Sequence, residues 1–359
     1  MHMADALLSP AVGGTMAAGA AGLIAYSARK VTAEMDERKA PLMGVMGAFV
    51  FAAQMINFTI PGTGSSGHLG GGMMLSILLG PYAAFLTIAS VLVVQALVFA
   101  DGGLLALGCN IVNLGLFPAF ICYPLIYKRL APAQASPRRV MAAALISSVI
   151  ALQLGALGVV LVTILSGRSD LPFGTFALLM LPIHLPIGVV EGLATAAVVG
   201  FVQRARPEVL VAAAEGSRLG PSSLKRLLVG MTALAAMVAG VLSWFASTHP
   251  DGLEWSLFKA TGSAELVAPA GGLHEELSRI QEQTAVMPDY ALVEGEATDA
   301  EAPAATSGWK ARAAGTSVAG LVGGAITLGL VTAIGLAVRA LSRAGRGGTT
   351  SSGPAAGGP

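Results

Sequence analysis

The chain has 359 residues, a formal net charge of +1, a mean hydropathy of +0.73 and only 11% charged residues. Soluble domains carry about 25% charged residues, so this composition indicates a protein that lies largely in lipid. The near-neutral charge gives no support for a nucleic-acid partner. The two cysteines lie in apolar segments and do not form the pattern of a disulfide framework.

Seven helices are predicted in the first part of the chain, where long uncharged segments alternate with basic clusters. A helix needs about 20 apolar residues to cross about 30 Å of hydrocarbon. The short third helix must therefore be packed inside the bundle, and Gly80-Pro81 marks the turn that ends it. The predicted helices cover about residues 11–28, 40–57, 69–80, 81–99, 103–127, 140–166 and 174–203.

Four basic clusters determine the predicted orientation. They lie at about residues 29–39, 128–139, 204–226 and 339–346. The positive-inside rule places all four in the cytoplasm. The N-terminus is then outside and the C-terminus inside, in the cell (inner) membrane. The opening residues lack the basic n-region of a secretory signal peptide.

A second unit follows, predicted as two helices at about 225–246 and 314–338 that flank an extracytoplasmic loop. This loop holds more than half of the chain's acidic residues, and residues 291–308 are predicted to be disordered. The fold class is therefore an all-α polytopic membrane protein. We predict a capture domain at 1–205, a cytoplasmic linker at 206–224, a two-helix domain at 225–342 with its outer loop at 247–312, and a disordered tail at 343–359.

The first two residues indicate a metal site. Met1-His2 can present a terminal amine, a backbone amide nitrogen and an imidazole, which together close two fused chelate rings around a divalent ion. His68, in a loop on the same outer side, could supply a fourth nitrogen. Four nitrogens in a plane suit Ni(II) or Cu(II) and also hold Co(II). The alternative interpretation is that His68 is an interfacial packing residue without a ligand.

The glycine-rich loop before His68 has the spacing of a dinucleotide-binding pattern but not its context. Residues 62–67 fit G-x-G-x-x-G, yet no strand is predicted before them and the next acidic residue is Asp101. We expect this loop to fold inward, because a glycine backbone can approach a ligand closely. The sequence has no Walker A motif, so this chain is not expected to hydrolyse ATP by that route.

Four polar residues are further candidates. His184 and Glu191 are seven residues apart on one helix face, and a carboxylate inside a membrane helix is costly. They form either an internal hydrogen-bonded pair that locks helix packing or a supporting or transit site for a cation. Asn57, at the outer end of the second helix, and Ser66, in the glycine-rich loop, are candidates for the same supporting role.

These motifs resemble the substrate-capture subunits of cobalt and nickel energy-coupling-factor transporters, the CbiM/NikM family. The resemblance covers about residues 1–205, although Met3-Ala4 and Ala6 depart from the expected pattern. The residues that carry it are Met1-His2 with Asp5-Ala6-Leu7-Leu8-Ser9-Pro10, Asn57-Phe58 through Gly67-His68-Leu69, His184-Leu185-Pro186-Ile187 and Glu191-Gly192. In addition, the segment Pro250-Asp251-Gly252-Leu253-Glu254 resembles the signature of the small two-helix accessory subunit of these transporters.

The resemblance implies a transport component and not an enzyme. It implies that Met1, His2 and His68 bind Co(II) or Ni(II) as cargo at the outer face, without a resident cofactor. The metal would serve cobalamin biosynthesis or a nickel enzyme. It also implies three kinds of contact: a membrane coupling subunit, two cytosolic ATPase subunits, and contact of the 250–254 segment with the capture domain.

Two other functions stay open on the residues alone. One is a proton-coupled secondary metal carrier or a channel, with His184 and Glu191 as the relay. The other is a membrane scaffold with an acidic sensory loop. Metal uptake that requires ATPase partners would separate the importer from both alternatives.

Overall fold

The computed structural model describes residues 2–34, 39–132, 135–168, 171–219, 224–269, 271–291 and 307–347. Within these ranges the chain is almost entirely helical, and seven helical segments are long and apolar enough to cross a membrane. The prediction of an all-α polytopic membrane protein is confirmed. The seven segments are Pro10–Thr32, Pro81–Val98, Leu107–Leu130, Pro137–Ser166, Phe173–Ala205, Lys225–Phe245 and Gly315–Ala340.

The N-terminal bundle, called the capture bundle below, begins with four helices. They are α1 (Pro10–Glu34), α2 (Lys39–Gln54), α3 (Gly72–Leu79) and α4 (Pro81–Val98). The predicted short helix is present as α3, whose 8 residues are all buried and extend only about 12 Å. It packs against the helical segment Val112–Tyr127 so closely that a Cβ on Gly72 would lie 2.3 Å from the carbonyl oxygen of Leu114.

The remaining capture helices are longer. Helix α5 begins at Leu107–Ile111, widens to a π-helix over Val112–Tyr127 and ends at Lys128–Leu130. Two prolines inside the π-helical part, Pro118 and Pro124, lack the N–H that a regular α-helix requires. Helices α6 (Pro137–Ser166) and α7 (Phe173–Ala205) lie against each other along their length, and α8 (Pro207–Glu215) follows.

The C-terminal unit packs directly on the capture bundle. Its two long helices, α9 (Lys225–Gly240) and α12 (Ser307–Gly347), both contact α2. Between them lie α10 (Gly252–Thr261), α11 (Gly272–Thr284) and a short 3₁₀ turn at Pro288–Tyr290.

A short hairpin is a local addition to the predicted helical fold. Strand β1 (Phe58–Ile60) pairs antiparallel with β2 (Ser65–Gly67). The residues of β1 are aromatic or β-branched, and the turn uses Gly62 and Gly64 at φ values of 77° and 73°. The expectation of no strand before Gly62 was wrong. The strand leads into a second strand and not into a helix, so the G-x-G-x-x-G spacing belongs to a hairpin.

The structure shows helices within three of the predicted segments. The predicted linker at 206–224 contains α8, which an alanine-rich sequence favours and which ends at Gly216 with φ 64°. The predicted outer loop contains α10 and α11. The tail predicted to begin at residue 343 is helical to Gly347. Residues 292–306 and 348–359, predicted to be disordered, lie outside the described residues.

Candidate metal-capture site

Two imidazoles from distant parts of the sequence lie together beyond the end of α4. The ring centroids of His2 and His68 are 5.0 Å apart, with an interplanar angle of 31°. Their side chains keep only 7% and 9% of their surface exposed. Met1, the remaining residue of the predicted ligand set, lies outside the described residues. The hairpin therefore brings His68 next to His2. A metal site that uses both imidazoles requires this proximity.

The N-terminal segment is held in place by its backbone. The amide of Met3 donates to Asn110 Oδ1 at 2.9 Å, and the carbonyl oxygen of Met3 accepts from Gly103 N at 2.9 Å. The side chain of Met3 is fully buried in the capture bundle. These contacts fix the backbone next to His2, so its imidazole has little freedom to move away from His68.

Asp101 holds the His2 ring. Its Oδ1 lies 2.7 Å from His2 Nδ1, while His2 Nε2 is buried and has no hydrogen-bond partner among the described residues. Burial alone would raise the pKa of Asp101. Attraction to His2 and the hydrogen bonds from His2 and Tyr290 outweigh burial and hold this pKa well below its usual range. Asp101 is therefore a carboxylate at neutral pH.

His68 is suited to accept a cation. Its Nδ1 lies 3.2 Å from the carbonyl oxygen of Leu69, an acceptor that places the ring hydrogen on Nδ1 and the lone pair on Nε2. Burial lowers the pKa of His68 to about 3, and repulsion from His2 acts in the same direction. The ring is therefore neutral at physiological pH, which is the form that binds metals.

The start of the segment that joins α9 to α12 lies across the hairpin. Ser66 is fully buried, and its amide and hydroxyl donate to the carbonyl oxygens of Pro250 and His249, each at 2.8 Å. The indole Nε1 of Trp255 donates to the carbonyl oxygen of Thr63 at 3.0 Å. Ser66 is thus placed as a docking residue for the 249–255 segment and contacts neither imidazole by a hydrogen bond among the described residues.

The 250–254 segment also reaches the candidate site itself. Asp251 Oδ1 accepts from the amides of Leu253 and Glu254 and caps α10 in a capping box, and its Oδ2 lies 3.9 Å from His68 Nε2. Gly252 is buried against His184, because a Cβ there would lie 2.8 Å from His184 Cε1. The short signature segment is therefore folded around His68 and the helix that carries His184.

A polar cavity of about 500 Å³ opens beside the two imidazoles, between the capture bundle and the C-terminal unit. Asn57 lines it, and the carbonyl oxygen of Asn57 accepts from Ser247 N at 2.7 Å. The carboxylates on its wall give it a negative potential that favours cations. They belong to Asp5, Asp101, Asp251, Glu254, Glu265 and Asp289.

His184 and Glu191 lie on one buried face of α7 but do not share a hydrogen bond among the described residues. Glu191 accepts from the backbone amides of Gly70 and Gly71, at 3.2 and 3.0 Å. His184 Nδ1 is bonded to the carbonyl oxygen of Met180 at 2.7 Å, which leaves Nε2 facing a small cavity next to His68. Glu191 thus fixes the backbone that follows His68.

Replacing Glu191 by Ala is expected to lower the free energy of unfolding by about 1–3 kcal/mol, because two buried N–H groups lose their acceptor. Replacement by Gln keeps one acceptor oxygen and should cost less. Thermal unfolding of the purified protein in detergent measures both. Glu215→Ala, at an exposed carboxylate at the end of α8, is the matched control. Equal stability of the Glu191 and Glu215 variants would contradict the anchoring role.

Three residues of the site were not found from the sequence: Asp101, Asn110 and Tyr290. A signal existed for Asp101, because it is the first charged residue after Lys39 and follows directly on a predicted membrane helix. Asn110 and Tyr290 gave no comparable signal, since their contacts depend on how distant segments pack.

Comparison with known proteins identifies the family. Residues 2–209 match the family CbiM, described as a cobalt uptake substrate-specific transmembrane region, and residues 225–340 match the PDGLE domain. A Haloquadratum walsbyi protein named for metal transport is 37% identical over 221 residues, covering 62% of this chain and 98% of its own length.

Two further matches extend the comparison. The fused nickel transport protein NikMN of Rhodobacter capsulatus is 29% identical over 313 residues, covering 81% of this chain and 88% of its own length. A crystal structure of a truncated transition metal transporter is 28% identical with a TM-score of 0.51, covering 57% of this chain and 99% of the solved one. The chain therefore belongs to the CbiM family and carries a PDGLE domain in its C-terminal part.

Proposed function

We propose that this chain is the metal-capture component of an ATP-driven importer for Co(II) or Ni(II). The observation that supports this best is the pair of buried imidazoles, His2 and His68, with centroids 5.0 Å apart in a protein of the CbiM family. The named relatives are cobalt and nickel transport proteins, which supports a transport component and not an enzyme. The metal is cargo in this proposal.

The proposed ligands are all nitrogens. The Met1 amine, the His2 amide and ring, and His68 Nε2 would surround the metal in one plane, a geometry suited to Ni(II) and accessible to Co(II). Such a donor set disfavours Mg(II) and Ca(II), which prefer oxygen. Among the described residues no group of three or more His, Cys, Asp or Glu side chains is arranged to hold a metal, so the proposed site uses backbone nitrogens as well.

The two domains have different proposed roles. The capture domain, residues 1–205, holds the ligands, and the PDGLE domain, residues 225–342, covers the metal loop. The proposed orientation has the N-terminus outside and the C-terminus in the cytoplasm of the cell (inner) membrane. A membrane coupling subunit and two cytosolic ATPase subunits are the proposed partners, and the absence of a Walker A motif from the sequence is compatible with this division of labour.

A proton-coupled carrier that uses His184 and Glu191 is the alternative function. The contacts favour a structural role for Glu191, because both of its oxygens accept backbone N–H groups. Metal uptake by Glu191→Gln, which cannot ionise, distinguishes the two functions. Uptake persists if the residue is an anchor and is lost if it carries the proton.

His68→Ala tests the proposed function directly. Loss of one of the metal ligands is expected to weaken Ni(II) binding by about 100-fold or more, beyond the 10–100-fold typical of residues that only support a ligand. His249→Ala is the matched control, because His249 is exposed and its side chain lies outside the site. Titration of both purified variants with Ni(II) at fixed pH measures the difference. Tight binding by His68→Ala would rule out the proposed ligand set.

A further inference from the structure

The PDGLE domain makes a second contact with the capture domain, at the outer end of α4. The amide of Met287 donates to the carbonyl oxygen of Val98 at 3.1 Å, and the amide of Asp289 donates to that of Phe99 at 2.9 Å. The ring of Tyr290 stacks on Phe99, with centroids 4.8 Å apart and an interplanar angle of 19°. This contact places the Tyr290 hydroxyl beside the residue that follows Ala100.

A chain of hydrogen bonds runs from this contact to the candidate site. The Tyr290 hydroxyl donates to Asp101 Oδ2, and Asp101 Oδ1 holds His2 Nδ1 at 2.7 Å. Gln95 Nε2, on α4, donates to the Tyr290 hydroxyl oxygen at 3.3 Å. The two carboxylate oxygens are therefore divided between the two domains, one facing the PDGLE domain and one facing the capture site.

The backbone at this contact is strained. Among the described residues, the non-glycine residues with positive φ are Ala100, Asp289 and Tyr290, with φ values of 54°, 51° and 58°. Ala100 precedes Asp101, Asp289 precedes Tyr290, and Tyr290 itself donates the hydrogen bond to Asp101. Such conformations cost free energy and persist where surrounding contacts impose them, and they concentrate at functional sites. The strain identifies the contact as more than incidental packing.

The charges match the hydrogen-bond directions. Burial and the neighbouring Asp101 raise the pKa of Tyr290, so its hydroxyl keeps the proton that it donates. A neutral donor on a buried carboxylate fixes its orientation without removing the negative charge that faces His2.

Resting on the proposed function, we propose that Tyr290 is a positioning residue for metal capture, which fixes Asp101 so that Asp101 orients the His2 imidazole. Metal-binding histidines commonly donate their second ring nitrogen to a carboxylate, and this partner sets the ring's orientation. Here the carboxylate is itself held by the other domain. Docking of the PDGLE domain thereby completes the capture site.

The orientation of His2 gives this support a specific task. Chelation together with its own amide requires Nδ1, since Nε2 is too far from the backbone to close the ring, yet Nδ1 faces Asp101. Metal binding by His2 would therefore require a half-turn of the imidazole about its Cβ–Cγ bond, which puts Cδ2 where Nδ1 lay and Nε2 where Cε1 lay, on the carboxylate side of the ring. In the proposed metal-bound orientation a small shift of the ring lets Nε2 donate to Asp101, while Tyr290 keeps the carboxylate in place.

The test measures Ni(II) affinity and the ligand-field absorption of bound Ni(II) in the purified full chain. Tyr290→Phe keeps the ring stacked on Phe99 and removes only the hydroxyl. We expect Tyr290→Phe to weaken Ni(II) binding by about tenfold and to shift the absorption band. Asp101→Asn is expected to weaken Ni(II) binding by at least as much. The double variant is expected to bind no more weakly than Asp101→Asn alone, because both act through one path. Tyr26→Phe, an exposed tyrosine on α1, is the matched control.

The outcomes separate this inference from the proposed function. Wild-type affinity and an unshifted band in Tyr290→Phe would overturn it, as would losses that multiply in the double variant. His2→Ala tests the site independently of Tyr290. If His2→Ala binds normally, the proposed function fails, whereas loss in His2→Ala with normal binding in Tyr290→Phe removes only the role of Tyr290. If Tyr290→Phe folds poorly, Asp101→Asn changes the same hydrogen bond by a substitution in the capture domain.

Discussion

Inserting Leu-Pro between Met1 and His2 is expected to abolish tight Ni(II) binding. The insertion keeps the amine and the imidazole, but proline has no amide hydrogen, so fused chelate rings cannot run from the amine to the imidazole, and the amine moves away from His68. Binding then loses the preorganisation that the anchored Met3 backbone provides. The fold is expected to be unchanged, because the inserted residues precede the first buried and hydrogen-bonded residues of the described chain.

Metal content of the purified insertion variant is the measurement, with thermal unfolding as the check on the fold. Met1 and His2 remain present, so any loss is due to spacing and not to the removal of a donor. His249→Ala, with one exposed imidazole fewer, shows whether a change of histidine count alone affects metal content. Normal metal content in the insertion variant would show that the amine and amide are not ligands.

Gly252→Val is expected to reduce metal uptake to background. A side chain at this position has no room, since its Cβ would lie 2.8 Å from His184 Cε1 and 3.1 Å from Nε2. The His184 ring has no room to move aside, because it is buried and hydrogen-bonded to the carbonyl oxygen of Met180. The 249–255 segment must therefore leave the hairpin, together with Asp251. Deleting residues 250–254 is expected to have the same result but also removes the Asp251 carboxylate, so the substitution isolates docking.

Gly230→Val is the matched control for Gly252→Val. Gly230 lies on α9 of the same domain, and a Cβ there has no neighbour within 4 Å, so the same chemical change is made without a clash. Uptake by cells that express each variant, normalised to protein in the membrane, measures the effect. Full uptake by Gly252→Val would show that docking of this segment on the metal loop is dispensable for transport.

The helical architecture could be predicted because its causes are local. Uncharged segments long enough to span lipid identify most of the helices, and Gly80-Pro81 correctly indicates a short buried α3. The hairpin was missed because three-residue strands give almost no periodic signal, even though Phe58, Thr59 and Ile60 favour a strand. Helices α10 and α11 were not predicted within the outer loop, because both are short, polar and separated from the apolar segments.

The site was only partly predictable for a different reason. His2 and His68 could be paired because independent arguments placed both on one side of the membrane, and the structure brings their rings together. The bonds from Glu191 to Gly70 and from Tyr290 to Asp101 span more than a hundred residues each. They depend on the register of packed helices, which a single sequence does not encode in any short pattern. The residues that orient the candidate ligands were therefore found only in three dimensions.

X-ray absorption spectroscopy of the Ni(II)-loaded full chain is the most direct test of capture by three nitrogen-bearing residues. We expect a planar shell of nitrogen donors with the outer-shell scattering of two imidazoles, reduced to that of one imidazole in any Ni(II) that His68→Ala retains. The spectrum of His249→Ala is expected to match that of the unmodified protein. A six-coordinate oxygen shell, a sulfur ligand, or an imidazole signal unchanged by the loss of His68 would contradict capture by the Met1, His2 and His68 nitrogens.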